Sequence, residues 1–304
     1  MRVLLIGSTG VLGREVVLAL LAEGHEVTGL ARSPERAVAV RELGITPVVA
    51  DVFDVESMIA ACRGHEAVLN VATRIPAGRR MLRARNWADN DRLRADASLA
   101  VAQAARAADV RVLVQEGVSL VYADGGDAEL DERAALDPAG PTRAAMTAHA
   151  NAESFAGEGR EAVRLRIATL HGDDPITNWI VRGARRGGPV YFGDPDGWLT
   201  AIHPSDAAAG VVAALGAPGG VYNLGATPVR KRDFGRVVAE AAGARRARTL
   251  PRPLTRGFLA ILARSQRLSS AAFTEATGWR AKRTEPAVDW FATGGGGSDR
   301  VAPH

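Results

Sequence analysis

The twelve residues Arg2 to Gly13, reading R-V-L-L-I-G-S-T-G-V-L-G, constrain the fold more than any other stretch. Val3, Leu4, Leu5 and Ile6 offer water nothing polar, so this run predicts a strand covered on both faces, as in a parallel sheet. Glycines follow at once, and from Val11 the apolar residues Val11, Leu12, Val16, Val17, Leu20 and Leu21 keep a helical period up to Gly24. A helix start presents unpaired backbone N–H groups and a partial positive charge, and glycines without Cβ atoms let a pyrophosphate come close. After Gly24 the run Glu26 to Ala31 predicts a second strand. That context makes the stretch a nucleotide-binding unit in place of an ordinary strand-to-helix turn.

The spacing of Gly7, Gly10 and Gly13 departs from the G-x-G-x-x-G of the dehydrogenase fingerprint. It resembles the T-G-x-x-G-x-x-G of short-chain dehydrogenases/reductases, particularly the extended, epimerase/dehydratase-like group, with Ser8 and Thr9 where that motif has its hydroxyl residue. The resemblance implies a nicotinamide dinucleotide held by Gly7, Ser8, Thr9, Gly10, Val11, Leu12 and Gly13. Four strand-and-helix units in succession give an α/β fold, a Rossmann doubly wound parallel sheet.

In nicotinamide-binding folds the end of the second strand selects the cofactor. A carboxylate there accepts from the adenosine ribose, whereas an arginine pairs with a 2′-phosphate. Ala31 occupies the carboxylate's place and Arg32-Ser33 follow, which favours NADP(H) over NAD(H). The alternative for Arg32 is a solvated side chain on a helix N-terminal loop.

A third unit runs from Thr46 to Ala50 and into a helix around Val55 to Cys62. Asp51-Val52 resembles the family pair that meets the adenine; a helix N-cap at Asp51 or Asp54 is an equally open reading. Ala67 to Ala72 predicts a fourth strand, whose end, Val71-Ala72-Thr73, resembles the segment beneath the cofactor's central ribose. Between Thr73 and Asn86 stand Arg74, Arg79, Arg80, Arg83 and Arg85, on a loop that is either mobile above the cofactor's phosphates or simply solvated. A long helix, Asp89 to Ala108, then leads to a fifth strand, Val110 to Val114.

The extended family carries S-S-x-x-V-Y after its fifth strand and Y-x-x-x-K on the next helix. Its serine polarises the substrate, its tyrosine moves the proton, and its lysine lowers the tyrosine's pKa. This chain reads Gln115-Glu116-Gly117-Val118-Ser119-Leu120-Val121-Tyr122. Anchoring on Val121-Tyr122 puts Gly117 and Val118 at the serine pair, and Ser119 replaces the serine only if a bulge intervenes. On the following helix, Pro141 to Phe155, counting back from Glu153 puts Ala145 at the tyrosine and His149 at the lysine. That helix contains neither residue type, and the chain has only three tyrosines. The candidates left to handle a proton are Glu116, Ser119, Tyr122 and His149. A packing role for Tyr122 and a surface or interface role for His149 are the plainer readings.

Glu161 to Ile167 predicts a sixth strand. Ala168 to Gly172, with Leu170 and His171, resembles the family stretch beside the nicotinamide, without its proline and with histidine in place of its aromatic residue. Next comes a segment mixing aromatic residues and cations, among them Trp179, Arg182, Tyr191 and Trp198, which suits a substrate cap. Thr200 to Asp206, with His203, resembles the family's F-I-H-V-x-D segment, and Gly220 to Gly225 its return strand; Ser205 or Asp206 should cap a helix. The resemblance ends near Gly243. The division expected is a nucleotide-binding domain over 1–170 and 199–225, a substrate-binding lobe over 171–198 and 226–293, and a disordered tail over 294–304.

Composition narrows the functional classes. The single cysteine, Cys62, has no disulfide or metal partner, and no apolar run approaches the length of a membrane span. With no secretion signal at the start, the expected location is cytoplasmic. The net charge of +4 is scattered, and no nucleic-acid module is present. The partners expected are a small-molecule substrate and no nucleic acid or membrane, with a homodimer left open. Three functions compete: an NADP(H)-dependent oxidoreductase with an atypical proton path, a non-redox isomerase, dehydratase or cyclase, and a non-catalytic NADP(H) sensor. No metal is expected.

Overall fold

The computed structural model describes residues 1–291. The apolar runs become the strands β1 (Arg2–Ile6), β2 (Glu26–Ala31), β3 (Thr46–Val49), β4 (Ala67–Asn70), β5 (Val112–Val118) and β6 (Glu161–Ile167). A short β7 (Thr169–Leu170) pairs in parallel with β8 (Ala201–Ile202), and β9 (Gly220–Leu224) returns to the main sheet. The main sheet has seven strands, in the order β9-β6-β5-β4-β1-β2-β3, all parallel. The order reverses beside β1, and in such sheets ligands bind at that switch, beyond the strands' carboxyl ends.

Alternate residues of a strand face opposite ways, so β1 feeds two cores. Val3 and Leu5 pack with Val16, Leu20 and Val211 from α1 (Val11–Ala22) and α8 (Pro204–Ala213). Leu4 and Ile6 pack with Met58 and Val101 from α3 (Val55–Cys62) and α5 (Ser98–Ala107). α2 (Pro34–Arg41) lies between β2 and β3 in the chain, and α6 (Thr142–Glu153) lies against β5 and β6. A third core, including Val181, Tyr191, Phe234, Val238 and Phe291, joins α7 (Pro175–Arg185) to α9 (Lys231–Ala241). α10 (Phe258–Leu262) and α11 (Ala271–Thr277) complete the C-terminal part.

Three segments differ from the sequence expectation. β5 does not end at Val114, because β6 hydrogen-bonds along it from Val112 to Val118 and carries Gln115, Glu116 and Gly117 as strand. The helix expected from Asp89 opens at Ala88 (α4, Ala88–Arg92) and is interrupted by a π turn, Leu93–Ala97. There the Ser98 hydroxyl donates to the Arg94 carbonyl at 2.6 Å, the kind of side-chain bond that competes with helical pairing. The arginine-rich loop is folded into two 3₁₀ turns, Gly78–Leu82 and Ala84–Trp87. Met81 is buried beneath them and the Trp87 indole N–H donates to its carbonyl at 2.9 Å. The glycine-rich tail lies outside the described residues.

Candidate functional site

The glycine turn closes tightly onto the sheet. Gly7 has φ +94°, and a Cβ added there would lie 2.8 Å from the Ala72 backbone; at Gly13 it would lie 2.0 Å from the Gly7 carbonyl oxygen. Neither position admits a side chain, since backbone would have to move. Gly10 caps α1 without a side-chain hydrogen bond, and Thr9, Gly10 and Val11 are exposed while Leu12 is buried beneath them. The first N–H groups of α1 are thus turned outward with no side chain to satisfy them, and the residues fit a dinucleotide pyrophosphate. Ser8 faces elsewhere: its hydroxyl is buried without a partner, 3.0 Å from where a Cβ on Gly29 of β2 would stand.

Around the turn, Ala31 is buried at the end of β2 and Arg32 is exposed beyond it. Ser33 caps α2, accepting from the Arg36 N–H at 3.4 Å. Asp51 is exposed and is not a helix cap. Its Oδ1 accepts from the Phe53 N–H at 2.9 Å, and Asp54 caps α3 by accepting from the Glu56 N–H at 3.0 Å. Val52 is half-buried beside Asp51. Val71 is buried, Ala72 half-buried and Thr73 exposed at the carboxyl end of β4, and Leu170 is half-buried on β7. These residues ring one end of the sheet.

The four candidates for proton handling do not converge. Ser119 starts a 3₁₀ turn directly after β5, with no bulge before it; its hydroxyl is 2 % exposed and lies 3.5 Å from Gln266 Oε1. Tyr122 is wholly buried. Its hydroxyl accepts from Arg166 Nη1 at 2.7 Å and donates to Asn223 Oδ1 at 2.7 Å, while burial pushes the phenol's pKa up. Glu116 accepts from Arg94 Nε at 3.0 Å and Nη2 at 2.8 Å, a buried ion pair. Tyr122 and Glu116 are therefore tied into the interior, with no oxygen offered to a substrate.

His149 is buried between α6 and the sheet, and neither ring nitrogen has a hydrogen-bond partner. Gly117 makes its room, because a Cβ there would lie 2.2 Å from His149 Nε2. Burial above all, helped by Arg166, Arg164 and Arg94, pulls the imidazole pKa down to about 3, so the ring is neutral. Ala145, one turn earlier, is also buried. Gly117 and His149, which the sequence resemblance sets at the family's serine and lysine, thus share one space: the missing side chain of the first leaves the room that the ring of the second fills.

Two important residues escaped sequence reasoning. Arg94 lies on the apolar stripe of its helix with Asn90, Ala97 and Val101, all buried, and a cation on such a stripe is a readable sign of a buried partner. Lys231 is buried and donates to the carbonyls of Phe192 (2.8 Å), Leu262 (3.2 Å) and Ala263 (2.8 Å), fastening α9 to the short strand at Tyr191–Phe192 and to the end of α10; burial lowers its pKa to about 8. His171 packs among Phe234 and Phe291 with ring centroids 5.0 and 5.7 Å away, an aromatic filler where the resembled motif has an aromatic residue. His203 and Asp206 are architectural, the latter accepting from the N–H groups of Lys282 and Arg283, each at 3.0 Å. Among the described residues no cluster of metal-ligating side chains occurs, and no helix is long and apolar enough to cross a membrane.

Residues 3–225 match the NAD dependent epimerase/dehydratase family. The chain is 32% identical over 313 residues to a 3-diazoavenalumate denitrifying reductase from a Streptomyces species, covering 96% of each protein. It is 30% identical over 253 residues to a 4-hydroxy-2-methyl-3-oxo-4-farnesyl-3,4-dihydroquinoline-1-oxide ketoreductase from Stigmatella aurantiaca, covering 80% of this chain and 74% of that protein. Among solved structures, the Thermotoga maritima UDP-glucose 4-epimerase with UDP-glucose superposes with a TM-score of 0.77 at 19% identity, over 96% and 97% of the two chains. The Thermus thermophilus UDP-glucose 4-epimerase complex with NAD gives 0.74 at 24%, over 96% and 97%.

Proposed function

The chain belongs to the NAD dependent epimerase/dehydratase family, and on that premise we propose that it is an NADP(H)-dependent reductase of a small organic molecule. One observation carries the cofactor assignment: the exposed N-terminus of α1, which no side chain caps, lies beside a β2 end where Ala31 stands in place of a carboxylate and Arg32 is exposed. The α1 N–H groups hold the pyrophosphate and Arg32 the 2′-phosphate; Asp51 and Val52 meet the adenine, Val71 to Thr73 the central ribose and Leu170 the nicotinamide side. Bound there, a reduced nicotinamide supplies hydride. Reductases related over most of the chain support that direction of chemistry. The substrate-binding lobe comprises 171–198 and 226–293, and the protein works in the cytoplasm.

The proton is the unusual part. A buried Ala145 and a neutral, enclosed His149 give an alcohol or carbonyl no positioned partner, so a proton reaches the product from water or from the substrate itself. General acid–base assistance is typically worth about a hundred- to ten-thousandfold in rate, and simple aldehydes and ketones should accordingly be reduced poorly. A second reading, a nucleotide sensor without turnover, is favoured by the same two residues.

Titration of NADPH and NADH against the protein tests the assignment. NADPH should bind roughly ten- to a hundredfold more tightly, and Arg32→Ala should remove the difference. Equal affinities in the unaltered protein, or an unchanged ratio in the variant, refute it. Oxidation of bound NADPH by an acceptor separates reductase from sensor.

A further inference from the structure

Arginines without acids recur in three stretches that the fold brings together. Between Glu66 and Asp89 stand five arginines, and between Glu240 and Glu275 seven, with no aspartate or glutamate in either interval. α7 and its end add Arg182, Arg185 and Arg186 between Asp174 and Asp194. Gly78 lets the first 3₁₀ turn lean on α7: a Cβ there would meet Trp179 Cδ1 at 3.2 Å. Arg182 follows Trp179 by one helical turn on the same face. Past the helix end, the Arg248 guanidinium lies beside Gly187. At the other end of the ridge Trp87 packs on Phe258, ring centroids 4.8 Å apart, two residues beyond Arg256.

A solvated face is the ordinary fate of such charges, and two observations argue against it here. Within these stretches Arg74, Arg252 and Arg264 are matched with Asp89, Asp124 and Asp137, and nearby Arg230 and Arg232 with Asp127 and Asp196. Arg79, Arg80, Arg182 and Arg248 are exposed, and none makes an ion pair among the described residues. Their platform is also folded: Met81 is buried, and the Asn86 amide donates to the Arg80 carbonyl at 2.8 Å. Holding like charges on a fixed base costs self-repulsion, which a bound anion offsets. The ridge rises where β4 and β7 end, over the carboxyl edge at which this sheet type binds ligands.

We propose that the substrate is a planar organic acid whose carboxylate is held by the arginines flanking Trp179, chiefly Arg79, Arg80 and Arg182. This rests on the reductase reading above and adds the substrate class. Guanidinium matches carboxylate with two parallel hydrogen bonds, and the half-buried Trp179 supplies an aromatic surface for a planar body. One small anion engages two or three guanidinium groups; the rest of the ridge raises its local concentration and its association rate in a salt-dependent way.

The test is calorimetric titration of the nucleotide-free protein with cinnamate, cinnamamide and UDP, at low and physiological salt. Cinnamate should bind at least about tenfold more tightly than its neutral amide and weaken as salt rises. Arg79→Gln with Arg182→Gln should remove that preference, while Arg111→Gln, an exposed arginine outside the lobe, keeps it; thermal melting confirms that the variants fold. Equal binding of acid and amide, absence of cinnamate binding, or retention of the preference in the double variant overturns the proposal. So does tighter binding of UDP through the same arginines, which would assign the ridge to a diphosphate. Failure of the cofactor reading is seen separately, as NADPH that does not bind while cinnamate does.

Discussion

Gly117→Ala should destabilise the protein through one contact, and His149→Ala should relieve most of the damage. The added methyl would stand 2.2 Å from His149 Nε2, 2.9 Å from His149 Cε1 and 2.9 Å from the Leu165 carbonyl oxygen. The imidazole cannot swing away freely, since it is enclosed between α6 and the sheet, and overpacking of this kind costs about 1–3 kcal/mol. His149→Ala alone loses packing, and a buried ring of this size costs up to about 3–5 kcal/mol when truncated. Its two nitrogens make no well-formed hydrogen bond, the Leu165 carbonyl being at best a poorly aligned acceptor, and removing such under-satisfied buried polar atoms recovers about 1–3 kcal/mol in all. The net loss should therefore be small, about 1 kcal/mol. In the double variant the new methyl occupies part of the vacated space, leaving only the Leu165 carbonyl contact unrelieved. Urea unfolding followed by tryptophan fluorescence measures all three variants, with the slope required to stay constant. A favourable coupling of about 1–2 kcal/mol is expected; additivity within about 0.5 kcal/mol would falsify the idea that these two positions share one space.

Acid should unfold the protein through the same histidine. Its folded pKa of about 3 lies below the unfolded 6.5, so stability is lost as pH falls from 6.5 towards 3, at about 1 kcal/mol per pH unit. His171, pulled down to about 4 by burial, acts in the same window. His149→Asn should flatten the stability profile between pH 6 and 4 without abolishing its slope; an unaltered profile refutes the assignment. Glu116→Ala leaves the Arg94 charge buried without its partner and should cost about 3–5 kcal/mol, read as a fall in the urea midpoint; a loss under about 1 kcal/mol would place the pair in solvent. Tyr122→Phe removes a hydroxyl bonded to Arg166 and Asn223 and should lower stability by about 1–3 kcal/mol while NADPH affinity and turnover per folded molecule stay unchanged. A kinetic defect at unchanged stability would return Tyr122 to the reaction.

The sequence by itself determined the frame, because its signals are local. A strand, a glycine turn and a helix within Arg2 to Ala22 need no distant partner to be recognised, and Glu26–Ala31, Val55–Cys62 and Glu161–Ile167 fall where the local pattern alone places them. The absence of any tyrosine or lysine between Pro141 and Phe155 was equally legible, since residue types do not depend on the fold. Tertiary structure decided what the remaining polar residues do. Gln115 to Val118 look like loop in isolation and become strand because β6 supplies their hydrogen bonds. Glu116 looks like an acid at an active site until Arg94, set on a π turn 22 residues away, closes over it. Ser8 reads as a ligand hydroxyl and turns towards Gly29. In each case the outcome depends on which group from a distant segment arrives within hydrogen-bonding or van der Waals reach. That proximity is a property of packing in three dimensions, and residue types along the chain do not encode it locally.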